Sequence, residues 1–308
     1  MTRYYMVRLG RQGIFLDECL NQSFIGVDYE INEDLSGKFP TEWRAFNAAY
    51  IPVWMANHPD KSKIAAGLAC AATWTVGEDI RVDEYILSPN ASGTFRVGRV
   101  SGPYQYVSES SLPHQRPVEW LSESLDRSEF SESLRKATNS ALTVVNLSAF
   151  SEELRGLIEG DGQPVITVSD ELVEDPATFA LERHLEDFLV ANWAGTILGK
   201  TYDIYSEDGE LLGQQFPTDT GRIDILAISK DRKELLVVEL KRGRASDAVV
   251  GQIQRYMGYI KEELLEPDQQ VRGVIVALDD DVRIRRALAV TQGIDFYRYE
   301  VSFRLLPS

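Results

Sequence analysis

Charged residues interrupt two apolar stretches that predict neighbouring strands, 222–229 and 234–240. Asp224 lies within the first stretch, Glu239 lies near the end of the second, and Lys241 follows two residues later. A charge inside a buried strand costs several kcal/mol unless it is paired or binds a metal. The three charges therefore indicate either a shared partner or a shared function.

A hairpin of these two strands would bring the three charged side chains together. Side chains alternate between the faces of a strand, so Glu239 and Lys241 point the same way. Antiparallel pairing would place Asp224 alongside them. Carboxylate oxygens suit Mg²⁺ or Mn²⁺, which keep several waters and take phosphate oxygens, and a lysine can orient a metal-bound water. The pattern therefore indicates a site for phosphodiester hydrolysis.

A helix predicted from about residue 245 adds two polar side chains. Gln252 and Tyr256 are four residues apart and hence share one helical face, from which both can reach phosphate or water near the strand ends. The alternative interpretation is a surface ion pair on an ordinary hairpin. We do not favour it, because an exposed pair does not need the apolar setting Val-Val-Glu-Leu-Lys.

The ordered series of an aspartate, a Glu-x-Lys and a Gln-x3-Tyr resembles the PD-(D/E)xK nuclease superfamily. More narrowly, the stretches GRIDIL and VVELKRG resemble the NucS type of endonuclease domain over roughly residues 176–306. The resemblance implies that Asp224 and Glu239 hold Mg²⁺ or Mn²⁺ and that Lys241 orients the attacking water. It gives the two helical residues the task of positioning water or phosphate.

A third carboxylate is expected from a helix predicted at 177–192, since the superfamily often takes one from such a first helix. Glu182 and Glu186 are one helical turn apart there. In the NucS-like pattern the glutamate precedes x-His-Leu, as Glu182 does, so the resemblance assigns Glu182 to the catalytic and metal-binding set in preference to Glu186. The alternative for either residue is a solvated acidic face. One departure is that Ile223 precedes Asp224, where a proline is typical.

The composition limits how such a nuclease could bind DNA. The 308 residues carry a net charge of −16, and 44% of them are hydrophobic, which is enough for two domains. An acidic protein must concentrate positive charge where it contacts DNA, bind DNA weakly, or use a metal to bridge the phosphates. A basic cluster beside the proposed site offers such charge, and we expect Arg222, Arg242 and Arg244 to bind DNA. A second basic cluster comprises Arg283, Arg285 and Arg286.

The cysteine content and the hydropathy exclude other classes of protein. Cys19 and Cys70 occur in no CxxC or Cys/His spacing, so a zinc site is not expected. So few cysteines are typical of a reducing compartment. No apolar run reaches the roughly 18 residues of a membrane span, and the N-terminus lacks the apolar core of a signal peptide. We therefore expect a cytoplasmic protein that makes no contact with a membrane.

Residues 1–121 predict a small α+β barrel. The stretches FIGVDY and FRVGRVSGPYQY resemble the N-terminal module of Mrr-like restriction proteins, which is similar to the PUA/EVE barrels that read nucleic acid. The resemblance implies a module that reads a modified base, with Trp43 and Tyr104 as stacking platforms and Asp28 as an acceptor at the base edge. The alternative is that these aromatics pack in the core. Further stacking candidates are Trp54, Trp74, Tyr106 and Trp120.

The rest of the chain divides into a helical connector, 122–175, and a nuclease domain, 176–308. In the latter, strands and helices follow in the order β–β–α–β–α–β, which predicts a mixed central sheet with flanking helices. The fold class is therefore α/β, or α+β over the whole chain, with a restriction-endonuclease-like C-terminal domain.

These patterns together predict a Mg²⁺- or Mn²⁺-dependent endonuclease that acts on DNA, modified or mismatched. Modification-dependent restriction or phage defence is the biological role that we expect. The alternatives are a NucS-type repair endonuclease for mismatched or branched DNA, and a nucleic-acid-binding protein with an inactive nuclease fold. RNA stays open as a substrate. A homodimer is consistent with the prediction, because cutting both strands needs two sites.

Overall fold

The computed structural model describes residues 2–159 and 185–300, without the side chains of Glu123 and Arg242. The chain forms two compact units, Met1–Pro176 and Ala177–Ser308, called here the N-terminal unit and the C-terminal unit. Both contain a β-sheet and helices, so the predicted α/β class is confirmed.

One mixed sheet organises the described part of the N-terminal unit. Its hydrogen-bonded order is β2-β6-β4-β3-β1-β7, with β5 also paired to β6, and every pairing is antiparallel except that of β1 with β3. The strands are β1 (Tyr4–Val7), β2 (Phe24–Val27), β3 (Tyr85–Pro89), β4 (Thr94–Val100), β5 (Gln105–Tyr106), β6 (His114–Asp126) and β7 (Val144–Asn146). Tyr5, Ile25 and Ile86 are fully buried in its core.

Helices of the N-terminal unit pack around this sheet. The bounds are α1 (Leu16–Gln22), α2 (Trp43–Asn57), α3 (Lys63–Trp74), α4 (Glu132–Ala137) and α5 (Ser151–Glu159). The Ser62 hydroxyl caps α3 by accepting from the Ala65 N–H, which satisfies one of the donors that a helix start leaves open. The small residues Ala66 and Ala69 of α3 then pack closely with Phe46 of α2 in one apolar cluster.

The segment predicted as a connector contributes to the N-terminal unit as far as it is described. The boundary predicted at residue 121 falls inside β6, which continues to Asp126 and pairs there with Thr94. Further on, β7 pairs with β1, and Leu134 and Leu154 are fully buried. Apolar residues that we assigned to a connecting segment therefore belong to the core of this unit; residues 160–175 lie outside the described part.

The C-terminal unit is built on a second mixed sheet. Its order is β11-β12-β13-β14-β15, with β8 also paired to β12. Its strands are β8 (Tyr202–Ile204), β11 (Gln214–Thr218), β12 (Gly221–Ser229), β13 (Glu234–Arg244), β14 (Gln270–Asp279) and β15 (Ile294–Arg298). Strands β9 (Ser206–Glu207) and β10 (Glu210–Leu211) pair with each other in a separate two-stranded sheet. The pairs β11–β12 and β12–β13 are antiparallel, and β13–β14 and β14–β15 are parallel.

Two helices connect the parallel strands, as such strands require: α7 (Ala248–Tyr259) lies between β13 and β14, and α8 (Val282–Ala289) lies between β14 and β15. Residues 185–191 form α6, which precedes the strands of this unit. The predicted β–β–α–β–α–β order is confirmed. Strands β12, β13 and β14 carry nearly continuous buried runs, which is expected of a sheet covered on both faces.

The residues that the structure describes include no helix long and apolar enough to cross a membrane.

A buried histidine links the strands and loops of the N-terminal unit. His114 Nε2 lies 2.7 Å from the Ile31 carbonyl oxygen, which can only accept, so this nitrogen carries the proton and Nδ1 accepts from the Tyr104 hydroxyl at 2.8 Å. Burial lowers the pKa of His114, while the Ile31 contact and nearby carboxylates act in the opposite direction. The neutral ring is therefore the form that this fold favours. The carboxylates are Asp28, Glu33 and Asp34.

This histidine predicts a loss of stability at mildly acidic pH. Because the folded-state pKa of His114 lies below the unfolded value of about 6.5, the unfolded chain binds more protons as pH falls, and stability decreases from that value toward the lowered folded pKa. His114→Gln should weaken the pH dependence in this window, although it lowers stability at neutral pH. Thermal unfolding followed by circular dichroism from about pH 8 to pH 5 measures both. An identical pH dependence in the variant would contradict the assignment.

Candidate active site

The hairpin of β12 and β13 brings the two predicted carboxylates together. Ile225 pairs with Val238, so Asp224 and Glu239 are the next residues on the two antiparallel strands. Asp224 Oδ2 accepts a hydrogen bond of 2.8 Å from the Leu240 N–H. Backbone donation of this kind stabilises a carboxylate and fixes its direction. Strand pairing therefore sets the geometry of this pair before any ligand binds.

Glu239 and Lys241 lie on the same face of β13, as period-two alternation requires. Glu239 is 1% exposed, and its Oε1 atom lies 3.2 Å from Lys241 Nζ. The Lys241 side chain is 28% exposed, so the ammonium joins a buried carboxylate to solvent. An irregularity in the β13–β14 pairing follows directly after Lys241. The ammonium can therefore meet a ligand that approaches from solution.

Helix α7 places Gln252 and Tyr256 beside the hairpin. Gln252 Nε2 donates to the Tyr256 hydroxyl at 3.3 Å, and Tyr256 is 4% exposed. Burial raises the pKa of the Tyr256 hydroxyl above its ordinary value; the hydrogen bond from Gln252 acts against this, and the negative charges of Glu239 and Asp224 add to it. The hydroxyl is therefore protonated at neutral pH and can donate a hydrogen bond. The predicted grouping of these residues is present in the structure.

A glycine makes room for this tyrosine. Gly221, the first residue of β12, has φ of 145°, and a Cβ atom at this position would lie 2.6 Å from the Tyr256 hydroxyl oxygen. Only glycine tolerates both the backbone conformation and the contact. The GR-I-D stretch thus serves two purposes, since Gly221 admits the tyrosine and Asp224 supplies the carboxylate.

The structure also brings in residues that the sequence analysis did not select. Gln215 on β11 donates through Nε2 to Glu186 Oε2 at 2.5 Å and to Asp224 Oδ1 at 3.2 Å. Gln214 donates to Glu186 Oε1 at 2.8 Å and to Asp187 Oδ1 at 3.2 Å. Glu186 is 3% exposed. The available signal was a pair of glutamines on the strand that precedes the GR-I-D stretch.

One observation bears on the choice between Glu182 and Glu186. Glu186 lies on α6 and shares the Gln215 amide with Asp224, so it belongs to the group around the hairpin. Glu182 lies outside the described residues, and its assignment stays a prediction.

The family comparison agrees with this geometry. Residues 181–302 match the family model described as Endonuclease NucS C-terminal domain. The C-terminal unit therefore contains a domain similar to the C-terminal domain of NucS, called here the NucS-like domain. Residues 5–148 match a second family, described as Domain of unknown function (DUF8426), which supplies no name for the activity of the N-terminal unit.

Two curated relatives of the NucS-like domain are each named Endonuclease NucS. The protein from Aeropyrum pernix is 30% identical over 100 residues, which cover 32% of this chain and 35% of the relative. The protein from Methanocaldococcus jannaschii is 35% identical over 75 residues, which cover 24% of this chain and 27% of the relative. The matched stretches thus span about a third of the relatives' length or less.

Solved structures resemble the chain only weakly. A crystal structure of a repair endonuclease from Pyrococcus abyssi has 18% identity and a TM-score of 0.31, covering 68% of this chain and 62% of that one. The structure of an EndoMS–dsDNA2 complex has 17% identity and the same TM-score and coverage. Likeness at this level is too weak to support a conclusion about fold or function.

The donor set of the NucS-like domain fits a hard divalent cation. Mg²⁺ is usually held by one or two carboxylates and keeps several waters, and Asp224 and Glu239 offer two carboxylates on neighbouring strands. Within residues 2–159 and 185–300, no group of three or more His, Cys, Asp or Glu side chains is arranged to hold a metal. The hairpin carboxylates therefore fit Mg²⁺ or Mn²⁺ with waters and phosphate oxygens, rather than a cage made entirely by the protein.

The arginines predicted to bind DNA have different surroundings in the NucS-like domain. Arg222 lies half-buried on β12, and Arg244 is largely exposed and pairs with Asp279 at 3.2 Å. The side chain of Arg242 lies outside the described part. The structure thus leaves the role of Arg222 and Arg244 in DNA binding as a prediction.

In the N-terminal unit, the residues predicted to read bases make contacts with nearby residues. Tyr104 is half-buried; its hydroxyl bonds His114 and its ring packs edge-on against Phe39. Trp43 donates through its indole N–H to Asn47 Oδ1 at 2.9 Å. Asp28 is exposed and accepts from the Glu30 N–H at 2.9 Å. Tyr104 therefore has a packing role. Base reading by Asp28, Trp43 or Tyr104 stays a prediction.

The contact of Gly221 with Tyr256 predicts a coupled effect on stability. Gly221→Ala should lower the free energy of unfolding by about 1–3 kcal/mol, because a side chain is strained at this φ, and it should also displace the tyrosine hydroxyl. In a Tyr256→Phe background that hydroxyl is missing, so the same substitution should cost less. Urea denaturation of the four proteins in this double-mutant cycle measures the difference. Equal costs in both backgrounds would show that the hydroxyl does not occupy the space beside Gly221.

Proposed function

We propose that this protein is a Mg²⁺- or Mn²⁺-dependent endonuclease that hydrolyses phosphodiester bonds in DNA. One observation carries the proposal: Asp224, Glu239 and Lys241 stand on one hairpin, next to Tyr256, inside a domain that matches the NucS C-terminal family. Two carboxylates with an ammonium and a phenol suit the transfer of a phosphoryl group from an alcohol oxygen to water. The names of the curated relatives support the same reaction class.

Each residue has a physical task in this reaction. Asp224 and Glu239 would hold the cation, which when bound neutralises phosphate charge and lowers the pKa of a water molecule. Lys241 Nζ, paired with Glu239 Oε1 and partly open to solvent, orients the attacking water and compensates charge on the phosphate. The Tyr256 hydroxyl stays protonated and donates to a phosphate oxygen or to water. Gln252 holds that hydroxyl in place.

A repair role is favoured over restriction or phage defence. Our sequence-based expectation of restriction depended on a modified-base reader in the N-terminal unit, and that unit matches only a family of unknown function. The C-terminal match is to NucS, whose resemblance implies mismatched or branched DNA as substrate. We therefore propose a DNA-repair endonuclease of the NucS type, which was our alternative. A homodimer with two such sites stays part of this proposal.

Substitution of the hairpin residues tests the catalytic proposal. Asp224→Asn, Glu239→Gln and Lys241→Met should each lower cleavage of duplex DNA in Mn²⁺ by at least about 100-fold, because loss of a residue that contacts the cation or the reacting atoms exceeds the 10–100-fold loss typical of its supporting partners. Single-turnover cleavage of a labelled oligonucleotide duplex measures the rate. Asp203→Asn, an exposed carboxylate on β8 of the same sheet, is the matched control.

The same assay compares the two first-helix glutamates. We expect Glu186→Gln to lose more activity than Glu182→Gln, since Glu186 is joined to Asp224 through Gln215. If the wild-type protein cuts no DNA or RNA, and calorimetry detects no Mn²⁺ binding while DNA binding is retained, the protein is instead a nucleic-acid-binding protein with an inactive nuclease fold.

A panel of duplexes tests the proposed substrate. We expect mismatched or branched DNA to be cut at least about tenfold faster than the plain, methylated and hydroxymethylated duplexes of the same sequence, a difference of about 1.4 kcal/mol in transition-state stabilisation. Competition between differently labelled duplexes in one reaction measures this ratio, and an RNA duplex completes the panel. Preferential cleavage of a modified duplex would restore the restriction role, and equal rates on every DNA would remove both.

A further inference from the structure

Gln215 has an unusual backbone conformation at the edge of the candidate site. It lies within β11, yet its φ is +52°, in the left-handed region that non-glycine residues enter at a cost in free energy. Gln214 pairs with Ile225 and Phe216 pairs with Ile223, so Gln215 interrupts the ladder directly across from Asp224. The register is the same on both sides of Gln215, so no residue is inserted, and the left-handed backbone conformation redirects its side chain.

The redirected side chain contacts two acidic groups at once. Gln215 Nε2 donates to Glu186 Oε2 at 2.5 Å and to Asp224 Oδ1 at 3.2 Å. An ionised carboxylate only accepts, and a carboxamide nitrogen has two N–H donors, so one amide can serve both carboxylates. The contact joins α6 to β12, two elements that are far apart in sequence, through a single side chain of β11.

The choice of amino acid matters as much as the conformation. Glycine would relieve the backbone and asparagine is better tolerated at positive φ, but glycine has no amide and asparagine is one methylene shorter. A glutamate would place a third negative charge against Glu186 and Asp224. Among these side chains, glutamine alone combines the reach to both carboxylates with a neutral donor.

We propose that Gln215 is a positioning residue of the nuclease site, whose amide fixes Asp224 against Glu186 so that a divalent cation meets the Asp224 carboxylate already in place. This inference rests on the function proposed above. Partners that orient metal-binding groups are typically worth 10–100-fold in metal affinity or activity. Gln215 acts through these carboxylates and is not itself assigned a contact with DNA or with the scissile phosphate.

The substitution Gln215→Gly separates the effect of the side-chain amide from the effect of the backbone conformation. Glycine accepts φ of +52° without strain, so relief of the backbone offsets part of the stability that is lost with the two hydrogen bonds, and circular dichroism at the assay temperature checks that the variant is folded. We expect its affinity for Mn²⁺, measured by calorimetry without DNA, to fall about tenfold. The Mn²⁺ concentration for half-maximal cleavage should rise to a similar extent, while the KM for DNA at saturating Mn²⁺ should stay within about twofold of wild type.

Gln12→Gly is a matched control. Gln12 is also a glutamine at positive φ, +58°, but it lies in the N-terminal unit and is exposed. It should change neither Mn²⁺ affinity nor cleavage. Gln215→Asn, which keeps an amide and suits the backbone, should resemble Gln215→Gly in Mn²⁺ affinity because it cannot span both carboxylates.

The outcomes distinguish this inference from the proposed function. Wild-type Mn²⁺ affinity in Gln215→Gly, together with loss of Mn²⁺ binding in Asp224→Asn, would overturn the role of Gln215 and leave the nuclease proposal in place. Full Mn²⁺ affinity in Gln215→Asn would overturn the bridge, because this shorter amide cannot reach both carboxylates. No effect of Asp224→Asn on Mn²⁺ binding or cleavage would remove the proposed function and, with it, this inference.

Discussion

The compensation of buried negative charge in the β12–β13 hairpin is the constraint on which the candidate site depends. Glu239 is almost fully buried and lies beside Lys241 on the same strand face, while Asp224 receives the Leu240 N–H across the hairpin. A slip of one residue would turn every one of these side chains to the opposite face. The long apolar runs of β12, β13 and β14 oppose such a slip, because it would expose the core. Packing of the sheet therefore fixes the strand register that places these charged side chains together.

The hairpin and helix α7 were predictable because their information is local. Period-two alternation, a polar turn and an i, i+4 pair are all written within a short stretch, and the structure reproduces them. Gln215 was not selected because its contacts are long-range, and Glu186 was ranked below Glu182 because only Glu182 precedes x-His-Leu. Their contact joins two elements 29 residues apart, and a positive φ at a glutamine inside a strand has no sequence signature.

In the N-terminal unit, local sequence patterns suggested functions for residues whose positions are determined by tertiary contacts. The aromatic character of Tyr104 suggested stacking on a base, yet its hydroxyl holds the tautomer of His114, which in turn bonds the Ile31 carbonyl. The connector was inferred from helical spacing and chain breaks. A thirteen-residue β6 passes through the predicted boundary, and β7 returns to pair with β1, which are long-range pairings that no short pattern encodes.

The acidity of the chain bears on how DNA could reach this site. Part of its positive charge is already neutralised, since Arg244 pairs with Asp279 and Arg285 pairs with Asp280. Residues 221–244 of the hairpin include seven basic and four acidic residues, but the two carboxylates at the site, Asp224 and Glu239, would repel a phosphate placed against them. A divalent cation held by Asp224 and Glu239 would reverse the sign of the charge at this point and attract the phosphate that the carboxylates alone repel. In the proposed nuclease, whose chain has a net charge of −16, metal binding and DNA binding would thus be linked. Whatever positions the carboxylates for the cation would also govern the approach of the substrate.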